Sequence, residues 1–296
     1  MELSLPVPIV ATSADLPAAI ASALTGERPD PGERRTIEAA GIPFSSITWG
    51  PPTGRPLVLI HGVTASARIW WRMGPALAAT GRWVIAVDLP GHGLTGNWRG
   101  HHRFRDNAAD VAAWLRAADL DVAEVQVVGH SWGAMTAAAL PSSGIRPATL
   151  VLLDPPAISH AWISQMASDP SNQPYPDLRT AIDVLAAADP TWPREDVLAK
   201  AEALAQLDVD AARAVLLDNG DWDGGLADIS DPAADGIPVW IIRGEIDTGG
   251  LMPDEVLPAF AARVGPSHIL TLAGGSHAPQ RLHPEALTLA LLRALG

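Results

Sequence analysis

The chain of 296 residues contains no cysteine. This excludes a disulfide framework and any thiolate chemistry, and it fits every redox compartment. Lysine is almost missing too: of twenty basic residues only Lys200 is a lysine, against 33 acids, for a net charge of −13. A surface of that sign repels nucleic acid and anionic lipid, so neither is expected as a partner. No apolar run approaches the ~18 uninterrupted residues of a membrane helix. The first stretch, MELSLPVPIVATSADL, opens with an acid, lacks a basic n-region and is broken by prolines. It makes a poor signal peptide, and a cytoplasmic location is expected. Tyr and Phe are scarce, one and three, whereas Trp occurs eleven times. Core filling is the ordinary use of so large a side chain.

What the chain does have is a rhythm. Short runs rich in Val, Ile and Leu recur: RPLVLIHG (55–62), RWVIAVDLPG (82–91), EVQVVGHS (124–131), ATLVLLDPP (148–156), IPVWIIRGE (237–245) and HILTLAGG (268–275). They do not alternate polar with apolar, which suits strands buried on both faces of a parallel sheet. Between them RIWWRMGPALAAT, RDNAADVAAWLRAADL, WGAMTAAALP and DEVLPAFAARV carry apolar residues at helical spacings, as does the final PEALTLALLRAL. The alternation predicts an α/β fold, a mostly parallel, doubly wound sheet with helices on both faces. GIPFSSITWG (41–50) reads as an added edge strand.

The rhythm breaks once. About eighty residues between Pro155 and Gly236 carry many Pro, Asp and Ala, three isolated Trp and no clear strand. LRTAIDVLAAA and REDVLAKAEALAQL have helical periodicity, so the segment is expected to be a helical cap over the sheet. The expected organisation is an N-terminal core part (1–154), a cap (155–236) and a C-terminal core part (237–296).

The chemistry centres on VQVVGHSWGAM (126–136). Ligands of open parallel sheets bind beyond the carboxyl ends of the strands, and Gly129-His130-Ser131-Trp132-Gly133 falls at such a place. A sharp strand-to-helix turn would expose the Ser131 hydroxyl, and the glycines would leave room for it. A serine is a weak nucleophile without a base that is itself oriented by a carboxylate, and on such a sheet the chain order is Ser, acid, His. His277 follows LTLAGGS on a glycine-flexed loop after the last strand and is the first choice of base, ahead of His283 at a helix start. His160 begins the cap and His268 opens a strand. For the acid, Asp247 in IIRGEID is preferred over Glu245. Asp154 is a credible second position, but a carboxylate there is expected to brace the entry to the cap. The oxyanion needs donors. The backbone N–H of Trp132 is one, and that of Val63 in LIHGVTAS is the other. His61 is expected to be structural.

LIHGVTAS, VDLPGHGLTG, VVGHSWGAM, RGEID and GGSHAPQRLHPE together resemble the α/β-hydrolase superfamily, and more narrowly its single-HG, capped branch of esterases, lactonases and C–C hydrolases. The resemblance runs from Ile42 to the C-terminus but omits the cap. It implies Ser131 as nucleophile, Asp247 as acid, His277 as base, and Val63 and Trp132 as oxyanion donors, with no cofactor. Haloalkane dehalogenases and epoxide hydrolases place Asp at the nucleophile, which argues against both. The resemblance extends to proline iminopeptidases, which bind a substrate amine with cap acids; Asp183, Asp189, Glu195 and Asp196 are available for that role.

Other motifs are weaker. GHGLTG (91–96) satisfies G-x-G-x-x-G, but no helix start follows it, as a dinucleotide site requires. His101 and His102 with Asp106 or Asp110 lack a partner cluster for a metal.

The expectation is therefore a serine hydrolase of a carboxylic ester or lactone. A C–C hydrolase, an iminopeptidase-like aminopeptidase and a non-catalytic small-ligand receptor are the alternatives. Trp162, Trp192 and Trp222 are candidate walls of a site for a small molecule with a hydrophobic or aromatic group.

Overall fold

The computed structural model describes residues 5–27, 29–97, 100–168 and 175–296. The elements follow in chain order: α1 (Ala18–Thr25), β1 (Glu33–Ala39), β2 (Ile42–Trp49), β3 (Pro56–Ile60), α2 (Met73–Ala78), β4 (Trp83–Val87), α3 (Phe104–Ala117), β5 (Gln126–His130), α4 (Trp132–Ala139) and β6 (Thr149–Leu153). Then come β7 (Ala157–Ile158), α5 (His160–Ala167), α6 (Leu178–Ala188), α7 (Arg194–Ala205), α8 (Val209–Leu217), β8 (Trp222–Asp223) and α9 (Leu226–Ile229). The chain finishes with β9 (Val239–Arg243), α10 (Leu257–Val264), β10 (Ile269–Thr271), α11 (Pro279–Leu282) and α12 (Pro284–Leu295). Among the described residues no helix is long and apolar enough to cross a membrane.

Eight strands form one sheet in the order β1-β2-β4-β3-β5-β6-β9-β10. β2 runs antiparallel to both its neighbours, and the remaining pairs are parallel. The continuous apolar runs have a simple cause. In β3, Val58 and Ile60 face one core with α3 and α4, while Leu57 and Leu59 face a second core with α1, α2 and α12. Successive side chains of a strand point to opposite faces, so a sheet covered on both sides needs apolar residues at every position.

Two local expectations are corrected. GIPFSSITWG forms β2, but the edge belongs to β1, whose sequence ERRTIEA is polar because one face meets solvent. RIWWRMGPALAAT is not one helix: a 3₁₀ turn over Ala67–Trp70 precedes α2.

Strand order reverses between β3 and β5, which lie side by side although β4 intervenes in sequence. The loops leaving their carboxyl ends therefore share a crevice. The segment from 155 to 236 is anchored beside it. β7 and β8 pair through Ala157↔Asp223 and Ile158↔Trp222 and tie its two ends together. Within it α6 and α7 pack through Ala181, Leu185, Val197, Ala201 and Leu204. α7 lies on the 3₁₀ turn, where Arg68 meets Glu195 and Glu202, and buried Asp196 accepts from Trp71 Nε1 at 3.0 Å and from Arg72 at 3.3 Å. α9 packs instead on α4, so the end of this segment joins the layer beside the sheet.

Candidate active site

Ser131 sits between β5 and α4 with φ 55° and ψ −119°, a conformation that L-residues rarely adopt. The bend is held at both ends. The Ser131 N–H donates to the Leu153 carbonyl at 3.0 Å, and the Ser131 carbonyl accepts from Ala134 and Met135. The flanking glycines are sterically obligatory. A Cβ at Gly129 would stand 2.1 Å from the Gly133 oxygen, and one at Gly133 would stand 2.5 Å from the Ile60 oxygen. The loop after β3 thus lies directly against the turn.

His277 comes from the loop after β10. Its Nε2 lies 2.9 Å from Ser131 Oγ, and its Nδ1 lies 2.6 Å from Asp154 Oδ2. A carboxylate only accepts, so Nδ1–H is the donor to Asp154 and Nε2 is left to accept from the serine hydroxyl. Asp154, fully buried at the end of β6, also accepts from the backbone of Gly244 and Leu251, each at 3.0 Å. Burial pushes its carboxyl up, but the His277 hydrogen bond and charge, with the two amides, outweigh burial and hold it below the usual carboxylate value. Asp154, like Ser131, has a positive φ, 41°.

The assignment of Asp247 is therefore corrected. Asp247 lies exposed in a short 3₁₀ turn after β9 and makes no contact with His277 among the described residues. At Gly244 the loop lies against the chain before His277, where a Cβ would meet the Gly275 oxygen at 2.5 Å, and the 3₁₀ turn that follows, Ile246–Thr248, is exposed. Glu245 is used elsewhere, accepting from the Gly274 N–H. His283 lies at the start of α12, His160 at that of α5, and His268 stacks on Trp240, all apart from Ser131.

Neither the Val63 nor the Trp132 backbone N–H donates a hydrogen bond among the described residues, and both follow turns packed around Ser131. The Trp132 side chain is fully buried and packs edge-on to His61 and tilted over His92. His61 donates to the Gly62 carbonyl at 2.8 Å and accepts from the Leu89 N–H at 3.0 Å, so it ties two loops together as a neutral ring. Burial pushes its pKa down to about 4. GHGLTG is a loop, not a helix entry: a Cβ at Gly93 would strike the Asp88 carboxylate at 2.3 Å.

One contributor escaped sequence reasoning. The Nε2 of His130 lies 2.6 Å from the His277 carbonyl, and the two rings are 4.9 Å apart. A carbonyl only accepts, so His130 donates and holds the backbone of His277. Burial, with the neighbouring His277, depresses its pKa to about 3.

Ser131 and His277 open into a cavity of about 210 Å³, lined among others by Val63, Ile158, Leu216, Trp222, Lys200 and Arg281. The three candidate Trp residues separate here. Trp222 lines this cavity. Trp162, 43% exposed, lines an adjoining cleft that shares His277. Trp192 lies in neither; its ring stacks under the Arg281 guanidinium at 3.7 Å. Lys200 and Arg281 carried no role in the sequence reading. A lone lysine within the apolar periodicity of α7 was the available signal. Among the described residues no group of three or more His, Asp or Glu is placed to hold a metal.

A family model of the alpha/beta hydrolase fold matches residues 55–244. The chain belongs to this family. The dihydrolipoyllysine-residue acetyltransferase component of the acetoin cleaving system of Pseudomonas putida is 31% identical over 261 residues, 83% of this chain and 65% of that protein. Lipase LipV of Mycobacterium tuberculosis is 37% identical over 110 residues, 36% of this chain and 40% of the lipase. The chain thus spans less than two thirds of the length of these relatives. Among solved structures, E-2-(acetamidomethylene)succinate hydrolase superposes with a TM-score of 0.74 at 20% identity, covering 89% of this chain and 98% of that one. A thermophilic esterase from Thermogutta terrifontis superposes at 0.67 and 21% identity, covering 89% and 98%. At such identities the likeness is one of hydrolase fold.

Proposed function

We propose that this α/β hydrolase is a serine hydrolase of a small carboxylic ester or lactone, acting through an acyl-enzyme. The observation that carries the reading is the continuous line from Ser131 Oγ to His277 Nε2 and from His277 Nδ1 to Asp154. As Oγ attacks the carbonyl carbon, its proton passes to Nε2. Asp154, buried and ionised, stabilises the imidazolium and fixes its tautomer. The tetrahedral oxygen takes the N–H groups of Val63 and Trp132. His277 then protonates the departing alkoxide, and the acyl group remains on Ser131. Water, deprotonated by the same His277, attacks the acyl carbon; the bond to Ser131 Oγ then breaks, His277 returns the proton to Oγ, and the acid leaves. No cofactor enters these steps.

The cavity's size favours a small acyl group, since sites for drug-sized ligands run to about 300–1,000 Å³. The cleft holding Trp162 and His277 is the natural side for the leaving alcohol, and Trp222 offers an apolar wall. The segment 155–236 acts as the cap in this reading. An aminopeptidase is disfavoured by charge. Asp183 pairs with Arg179, Asp189 caps Thr191, Glu195 meets Arg68 and Asp196 is shared by Trp71 and Arg72. None of these acids lines the cavity, whose charged side chains are Lys200, Arg281 and His277 when protonated.

The test is turnover of short-chain p-nitrophenyl esters by wild type and Ser131→Ala. Loss of measurable turnover in the variant is expected; an undiminished rate would remove the reading. Stoichiometric ligand binding without turnover by the wild type would favour a receptor on the same fold, and cleavage of a vinylogous 1,5-diketone in place of esters would favour C–C hydrolysis.

A further inference from the structure

The most acidic feature of this chain is its overall charge, −13, yet its only lysine and a buried arginine meet in the cavity that Ser131 opens into. Arg281, on α11, has a side chain 9% exposed. Among the described residues no hydrogen bond reaches its guanidinium, and Nε is buried without a partner. Its nearest carboxylate, Asp196, is 3.8 Å from Nε and is already engaged by Trp71 Nε1 at 3.0 Å and by Arg72 at 3.3 Å. One carboxylate is therefore shared by two guanidinium groups, and the other acid whose charge reaches Arg281, Asp189, spends its hydrogen bonds on Thr191, so neither satisfies the donors of the fork. The Trp192 ring beneath Arg281 fixes the plane of the fork without satisfying any of its donors. Lys200, on α7, adds a second cation, and Thr64 accepts two of its three donors, at the carbonyl (3.1 Å) and at Oγ1 (2.6 Å). Burial, with the nearby Arg281 charge, draws its pKa down to about 7, and an anion beside it would restore the charged form.

A buried guanidinium whose donors make no hydrogen bond is costly unless something satisfies them, and its planar fork suits a carboxylate. We propose that Lys200 and Arg281 form a carboxylate-recognition site in the Ser131 cavity, so that the substrate is a small acyl compound carrying a free carboxylate. The substrate class rests on the hydrolase reading above; the anion site rests on the cavity and its charges alone. In a cavity of about 210 Å³ the recognised carboxylate and the scissile carbonyl belong to one short chain, as in a half-ester of a dicarboxylic acid. α11 follows His277 directly, so the base and the arginine are carried by one segment.

The test titrates the full-length Ser131→Ala protein with glutarate and with its neutral counterpart glutaramide, by calorimetry. Glutarate is expected to bind more tightly by roughly tenfold or more, the scale of a charge-assisted pair. Arg281→Met and Lys200→Met should each erase most of that preference, and Arg281→Lys should retain part of it. If Arg281→Met does not fold, Lys200→Met and Arg281→Lys carry the comparison. Equal binding of the two probes, or a preference unchanged in these variants, would overturn the proposal. In wild type, glutarate should also slow labelling of Ser131 by a fluorophosphonate; labelling unaffected by bound glutarate would place the anion elsewhere and overturn it too. Absence of any Ser131 adduct, with the glutarate preference intact and sensitive to Arg281→Met, would instead remove the hydrolase reading and leave the anion site standing.

Discussion

The carboxylate of Asp154 accepts from Nδ1 of His277 at 2.6 Å across a sequence separation of 123 residues. Asp154 follows β6, the strand next to the one that leads into Ser131, and its second partners are amides of the loop that follows β9. One buried group thus orients the His277 ring and ties together the loops that follow β6, β9 and β10. Its folded pKa is held down, so the stability it contributes is present above the ordinary carboxylate value and is lost as pH falls through the depressed one.

The turn that carries Ser131 tolerates no side chain at its flanks. In Gly133→Ala the new Cβ would meet the Ile60 and His61 oxygens at 2.5 and 2.6 Å, both backbone atoms that cannot swing aside. The loop after β3 must shift, carrying Val63 with it. The expected result is a loss of about 1–3 kcal/mol of stability, by analogy with overpacking, and a fall in kcat larger than the stability change explains. Thermal unfolding and steady-state kinetics on the same sample check it.

His130 is a positioning residue. In His130→Phe the ring volume stays while the donor to the His277 carbonyl is lost. One neutral hydrogen bond is worth about 0.5–1.5 kcal/mol, so kcat should fall by up to about tenfold while KM stays within about twofold. A matching rise in KM would show a role in substrate binding instead.

How much of this site the sequence makes legible depends on how local each signal is. Ser131 and His277 announce themselves through glycines that the backbone geometry requires within a few residues. The parallel strands follow from apolar runs that only a doubly covered sheet explains. The acid is different. Asp154 and Asp247 each follow a strand, and what separates them is the exposed 3₁₀ turn that holds Asp247 and the two amides of Gly244 and Leu251 aimed at Asp154. Those are relations between distant loops. β1 was missed for a related reason, since an edge strand with charged residues has no continuous apolar run to betray it.

His92 is buried and neutral, packed at a tilt against Trp132 and donating to the Pro90 carbonyl. Burial, reinforced by His61, drives its pKa down to about 3. A histidine in the unfolded chain takes up a proton below about 6.5 while the folded one does not, so this residue costs stability progressively as pH falls. From pH 7.5 to 5 the cost grows by about 2 kcal/mol at 1.36 kcal/mol per unit. The advantage of wild type over His92→Phe should therefore shrink by that amount, or reverse, across the interval. Denaturant melts at the two pH values read it; a constant difference would mean that His92 is charged in the fold.

Asp196 fastens α7 to the loop behind the site. It is 1% exposed and accepts from Trp71 and Arg72. In Asp196→Ala the largely buried Arg72 loses its carboxylate, at a cost of about 3–5 kcal/mol. Replacement by Asn should cost less, because the indole donor keeps an acceptor. Urea unfolding of both variants decides, and an equal loss would show that the retained acceptor contributes nothing and that the charge carries the contact.

The most direct measurement compares the rate of Ser131 labelling by a fluorophosphonate in wild type, Asp154→Asn and Asp247→Asn, with intact mass and peptide mapping. A single adduct on Ser131 is predicted. Its rate should fall by about 10³–10⁴ in Asp154→Asn, where the amide no longer stabilises the imidazolium, and stay near wild type in Asp247→Asn. Loss of labelling in Asp247→Asn with retention in Asp154→Asn, or an adduct on another residue, would contradict the arrangement described.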